Sequence, residues 1–168
     1  QEVTTVSSSC LSMIAPFIYS NPFYASFFGN EYVMEDCCDI DFVPKQFDGL
    51  RLVTYDPSVN KSVQRYYGIQ ISNRMDASIY KGAYPLRKRP DLHKKLVKKA
   101  SESVFIQLTT VDVKNASNSL YDTLIYRLLD SDWYNTLNKC RIKKGYFDDG
   151  TLHHFEMFSS NGNGFTFE

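Results

Sequence analysis

No run of apolar residues in this 168-residue sequence is long enough to cross a bilayer. The least charged stretch, residues 3–30, is broken by Pro16, Asn21, Pro22 and Gly29 and diluted by Ser and Thr. That falls well short of the roughly 20 consecutive apolar residues a spanning helix requires. A starting Met, a basic leader segment and an apolar leader core are also missing. Gln1 therefore reads either as the end left by removal of an export signal or as a cut within something longer. No elbow of glycines surrounds any Ser or Cys, and no glycine-rich loop precedes a helix to cradle a phosphate. There is no internal repeat and no low-complexity linker, and no stretch matches a catalytic motif.

What is present describes a folding chain. A hydrophobic fraction of 43%, a charged fraction of 23%, 12 Tyr and 12 Phe are values of a globular protein. A chain this long buries roughly 70% of the surface its unfolded form exposes, so it needs no disulfide scaffold. We expect one domain over residues 1–168.

The pattern along the chain predicts an α+β fold. Residues 2–9 read as a strand or extended arm, and residues 11–33 admit only short helical pieces between prolines. One of these is residues 23–28, with Pro22 at the first helical position and Gly29 as its stop. Strands are expected at 35–42 and 50–55, with Asp48-Gly49 turning between them. Residues 62–72 read as another strand, hairpin-paired with 50–55, because Val63, Tyr67, Ile69 and Ile71 would share one face and Ser62, Gln64, Gln70 and Ser72 the other. Pro90 opens a helix to about Ser103, with Leu92, Leu96, Val97 and Ala100 inward. A strand at 104–113, a helix at 117–129 and a helical piece carrying Trp133 and Leu137 to Cys140 follow. Two hairpins close the chain, turning at 148–150 and 159–164. The sum is a mainly antiparallel sheet of about six to eight strands, rich in hairpins, with two main helices on one face.

Charge is unevenly placed. The 19 basic and 19 acidic groups cancel, yet residues 1–50 carry −6, residues 51–99 carry +9 and residues 100–168 carry −3. Most of the basic island is Arg87, Lys88, Arg89, His93, Lys94, Lys95, Lys98 and Lys99, in the loop before the expected helix and on that helix, whose lysines face outward. Such a face attracts phosphates, acidic polysaccharide, anionic headgroups or an acidic protein by charge density, or is simply a solvated face. Nucleic acid is the less favoured partner, given zero total charge and no base-reading signature.

Other constellations are weaker. Cys10, Cys37, Cys38 and Cys140 allow up to two disulfides, Cys10 and Cys140 each reaching one of the adjacent pair, or else four buried thiols. Asn60-Lys61-Ser62 and Asn115-Ala116-Ser117 fit the glycosylation pattern. Asp91 with Asp112 and Lys114 gives the acid, acid, lysine order of a metal-dependent nuclease, although Asp91 also suits a helix start. The acidic run of Glu35, Asp36, Asp39 and Asp41 around Cys37 and Cys38 matches no zinc or calcium spacing, and the tandem His153-His154 would point to opposite faces of a strand. No cofactor and no metal site is expected.

These readings converge on a secreted or extracytoplasmic, non-enzymatic binding domain, a disulfide-bonded glycoprotein. Its contact surface is Arg87, Lys88, Arg89, Lys94, Lys95, Lys98 and Lys99, facing a protein or other anionic partner. The alternatives are a metal-dependent phosphodiesterase or nuclease, and a soluble fragment of a larger viral or membrane-associated assembly.

Overall fold

The computed structural model describes residues 3–28, 31–44, 49–77, 89–105, 107 and 119–165. The class is α+β as expected. Its elements run β1 (Thr4–Val6), α1 (Ser8–Ser20), α2 (Pro22–Phe28), β2 (Tyr32–Met34), β3 (Cys38–Pro44), β4 (Leu50–Tyr55), α3 (Ser58–Ala77), α4 (Arg89–Ser101), α5 (Asp122–Leu128), α6 (Ser131–Cys140), β5 (Lys144–Phe147) and β6 (Leu152–His154).

The larger sheet, expected to be mainly antiparallel, has two antiparallel pairings and one parallel pairing. Four strands lie in the order β4-β3-β5-β6, and β1 and β2 form a separate parallel pair. In the larger sheet β3 pairs antiparallel with β4, Asp39 opposite Tyr55 and Pro44 opposite Leu50, and parallel with β5, Cys38 opposite Gly145. The parallel step is possible because the long stretch between β4 and β5 returns the chain to the same end of the sheet. Gly145 is required there, since a Cβ would stand 2.7 Å from the Cys38 carbonyl oxygen. β5 and β6 form the expected hairpin, with Gly150 at φ 81° and its N–H donating to the Phe147 carbonyl at 2.8 Å.

α1 is longer than the prolines suggest. Ser7 caps it, its hydroxyl accepting the Cys10 N–H, and the Asp36 carboxylate accepts both the N–H and the hydroxyl of Ser8. These contacts satisfy N–H groups that a helix start leaves open. Pro16 inside the helix forgoes one backbone bond, and burial of Cys10 with packing of Leu11, Met13 and Ile14 on the core outweighs that loss.

The largest correction is α3. Residues 62–72 are helical, not a strand, and β4 pairs with β3 rather than with this segment. Two stripes at four-residue spacing run along α3. Val59, Val63, Tyr67 and Ile71 face the main core of Val6, Cys10, Leu137, Cys140, Phe158 and Phe165. Asn60, Gln64, Gly68 and Ser72 form a second buried stripe that is polar or small. A smaller core joins Cys38, Ile40, Ile142 and Phe155 on the sheet.

α4 begins where Pro90 predicted, but Leu96 and Val97 are 41% and 51% exposed rather than buried. The expected strand at 104–113 falls almost wholly outside the described residues, and Val104 and Phe105 form no strand. Among the described residues no helix is long and apolar enough to cross a membrane.

Candidate functional site

The most constrained polar region lies where the segment after β6 folds back across β4 and α3. Ser159, Ser160 and Asn163 are buried, and Gly162 is exposed at the tip of the turn. The open edge of β4 holds the first half of this turn. Thr54 N–H donates to the Asn161 carbonyl at 2.9 Å, the Thr54 and Ser160 hydroxyls stand 2.7 Å apart, and the Asn161 amide donates to the Leu52 carbonyl at 3.2 Å. An unpaired strand edge is thereby closed by a turn rather than by another strand.

Gly162 takes a φ of 122°, and a Cβ there would stand 2.3 Å from the Thr54 carbonyl oxygen. Only glycine fits such an approach. The second half of the turn rests on α3. Gly164 N–H donates to Gln64 Oε1 at 3.0 Å, and a Cβ on Gly164 would meet the Arg65 backbone nitrogen at 2.7 Å.

Gln64 is itself part of a buried polar network. Its Nε2 donates to Asp56 Oδ2 at 2.7 Å and to the Cys140 carbonyl at 2.9 Å. That carbonyl, at the end of α6, also accepts from Asn60 Nδ2 at 3.0 Å, so two side-chain amides satisfy an acceptor that the helix leaves open. Asn60 further exchanges bonds with Ser7, accepting its N–H at 2.9 Å and donating to its hydroxyl at 2.7 Å. Burial holds the Asp56 carboxyl above the usual carboxylate range, the Gln64 amide and the charge of Lys61 pulling against it. Among the described residues Asp56 Oδ1 has no hydrogen-bond partner. Beside this network a recess of about 610 Å³ is lined by Tyr55, Asp56, Lys61 and Arg65.

The residues singled out from sequence are placed differently. Lys94, Lys95, Lys98 and Lys99 are exposed on α4, with Lys98 3.8 Å from Glu102. Arg89 is the first residue of α4, while Arg87, Lys88, Asn115, Asp112 and Lys114 lie outside the described residues. Asp91 sits in the first turn of α4, as a helix start would have it. Asn60, expected as a glycan acceptor in a loop, is 0% exposed inside α3, so the glycoprotein reading fails there.

All four cysteines are free thiols, and the expected disulfides are not formed. His153 and His154 are both exposed, the His153 ring lying 5.6 Å from that of Phe155. Among the described residues no three His, Cys, Asp or Glu groups come together to hold a metal ion. The sequence reading missed Thr54, Asp56 and Gln64. Their signal was the spacing Asn60, Gln64, Gly68, Ser72 and the glycine pair at 162 and 164.

Comparison with known proteins settles the class: the family described as RNA replicase, beta-chain matches residues 29–168, and the chain belongs to that family. It is 31% identical over 126 residues to the RNA-directed RNA polymerase beta chain of Escherichia phage MS2, covering 75% of this chain and 22% of that protein. To the RNA-directed RNA polymerase subunit beta of Escherichia virus Qbeta it is 42% identical over 66 residues, 39% of this chain and 11% of that protein. To the corresponding subunit of Qbeta virus (strain MX1) it is 39% identical over 72 residues, 43% of this chain and 12% of that protein. The chain thus spans about a fifth or less of the length of these relatives. Family membership overturns the reading of a secreted, non-enzymatic binding domain, and with it the extracytoplasmic location.

Proposed function

We propose that this chain is part of an RNA-synthesising replicase subunit and supplies surface that holds RNA. The observation that carries the reading is the family match over residues 29–168, together with relatives named RNA-directed RNA polymerase. Two features of the structure support it. The first is a basic pair beside the exposed turn: Arg65 and Lys61 of α3 are exposed and line the recess, and the Arg65 backbone lies against Gly164. The second feature is α4, where Lys94, Lys95, Lys98 and Lys99 present charge to phosphates irrespective of sequence. Arg89 at the start of α4 and the preceding Arg87 and Lys88 extend the same basic segment in sequence.

Polymerases join nucleotides with the help of paired metal ions. The described residues offer no cluster of His, Cys, Asp or Glu that fits such ions. What this chain's own residues do is bind and orient: Lys61, Arg65 and the lysines of α4 offer charge, and the turn stands exposed at Gly162 close to Arg65.

The test is RNA synthesis and template binding by a replicase subunit that carries this chain. Template-directed product is expected, and replacing Lys94, Lys95, Lys98 and Lys99 by Glu should weaken template binding and flatten its salt dependence while leaving folding intact. Absence of product from every RNA template offered would refute the proposal.

A further inference from the structure

We infer that Gln64 is the positioning residue that sets the Ser160–Gly164 turn for its contact with RNA, and that Asp56 fixes the orientation of the Gln64 amide. The inference rests on the functional reading just given and adds the residue that holds that surface in place.

A carboxamide has two donors at one end and an acceptor at the other. Gln64 is 0% exposed and uses both ends. The Cys140 carbonyl and the Asp56 carboxylate only accept, so Nε2 faces them at 2.9 and 2.7 Å. The Gly164 N–H only donates, so Oε1 faces it at 3.0 Å. Rotating the amide by half a turn would oppose like partners at all three contacts. Gln64 therefore joins the end of β4, the end of α6 and the turn through one rigid group.

Thr54 pins the first half of the turn from β4 and Gln64 pins the second half from α3, leaving Gly162 exposed between the two anchors. A shift of one anchor moves the tip relative to Arg65, whose backbone nitrogen already abuts Gly164. Displacement of a positioning group by about 1 Å costs up to about a hundredfold in rate.

Asn60 provides the control. It occupies the same buried stripe one helical turn earlier, is equally inaccessible and donates to the same Cys140 carbonyl, yet its other bonds go to Ser7 and none reaches the turn. Gln64→Glu and Asn60→Asp therefore impose the same isosteric change on the same helix, but only the former touches the turn.

The experiment measures kcat, nucleotide KM and template affinity for a replicase subunit carrying this chain, normalised to the folded fraction. Gln64→Glu should lower kcat/KM by between about tenfold and a hundredfold, with template affinity also weakened. Asn60→Asp should lower the unfolding midpoint but leave kcat and KM per folded molecule near wild type. Where the glutamate variant does not fold, Gln64→Asn, which keeps the amide but cannot reach the turn, is measured in the same way. A Gln64 variant indistinguishable from wild type, or matched by Asn60→Asp per folded molecule, overturns the inference while leaving the functional reading intact. A wild-type subunit that makes no RNA overturns both.

Discussion

The guanidinium of Arg141, only 5% exposed, lies 2.9 Å from the carboxylate of Asp122, which is 36% exposed. The pair is unequal in its access to water, and that inequality sets what each deletion costs. Arg141 is further fixed by Asn138 at 2.8 Å and stands 4.9 Å over the Phe158 ring, while Asp122 also accepts from the Tyr134 hydroxyl at 3.0 Å. Burial pulls the Arg141 pKa below its ordinary value and Asp122 pushes it back. Asp122→Ala strands a buried cation and should cost about 2–3 kcal/mol, less than a fully buried pair because solvent screens Asp122. Arg141→Met leaves a carboxylate that water can reach and an apolar chain on Phe158, and should cost about 1 kcal/mol. Urea unfolding of both variants checks the order; equal costs would mean that the pair is not stabilised in this unequal way.

Asp56 gives stability a pH dependence of known sign. Burial raises its folded pKa above the unfolded value, so the folded state keeps the proton to a higher pH than the unfolded chain does. The charge penalty is absent below the unfolded pKa, grows as pH rises towards the folded pKa and stays constant above it. Each unit of difference corresponds to about 1.4 kcal/mol. Asp56→Asn, which retains an acceptor for Gln64, should therefore gain stability relative to wild type as pH rises above the unfolded carboxylate pKa of about 4. A difference that does not change with pH over that range would show that Asp56 is not responsible.

How much of this was legible in the sequence depended on what each segment buries. The strand at 50–55, the β5–β6 turn, α2 behind Pro22, α6 and the start of α4 announced themselves by local signals, and the structure has them there. α3 did not, because one of its two buried stripes is Asn60, Gln64, Gly68 and Ser72. Hydrophobic periodicity cannot register a face whose burial is made good by distant partners such as Ser7, Asp56 and Cys140. The same blindness hid the candidate site, since Gln64 and Thr54 acquire meaning only when residues about 100 positions later fold back onto them. The parallel pairing of β3 with β5 was hidden for the same reason of separation along the chain.

Gly150 and Gly162 both have positive φ, at 81° and 122°, but only one is crowded. Nothing lies within 4 Å of a Cβ built on Gly150, whereas one on Gly162 would sit 2.3 Å from the Thr54 carbonyl oxygen. Gly150→Ala should cost about 1–2 kcal/mol, the strain of a left-handed residue alone. Gly162→Ala adds a clash against a strand edge and should exceed about 3 kcal/mol. Comparing the two unfolding midpoints separates backbone strain from crowding, and similar losses would show that the turn yields at Thr54.

The thiols test the replacement of the disulfide reading directly. Burial pushes the pKa of Cys10, Cys38 and Cys140 up to about 12, with the mutual charges of Cys10 and Cys140 adding to it for Cys140. A thiol so placed holds almost no thiolate at neutral pH and is shielded from reagents, while Cys37 is only half-buried. Under native conditions an aromatic disulfide reagent should label one cysteine rapidly, identified as Cys37 by peptide mass, and all four after unfolding. The burst for Cys10, Cys38 and Cys140 should track global unfolding, because each lies within one of the two hydrophobic cores. Rapid native labelling of Cys10 or Cys140 would mean that the α1–α6 contact opens locally, and a failure to label any cysteine after unfolding without reductant would restore the disulfides.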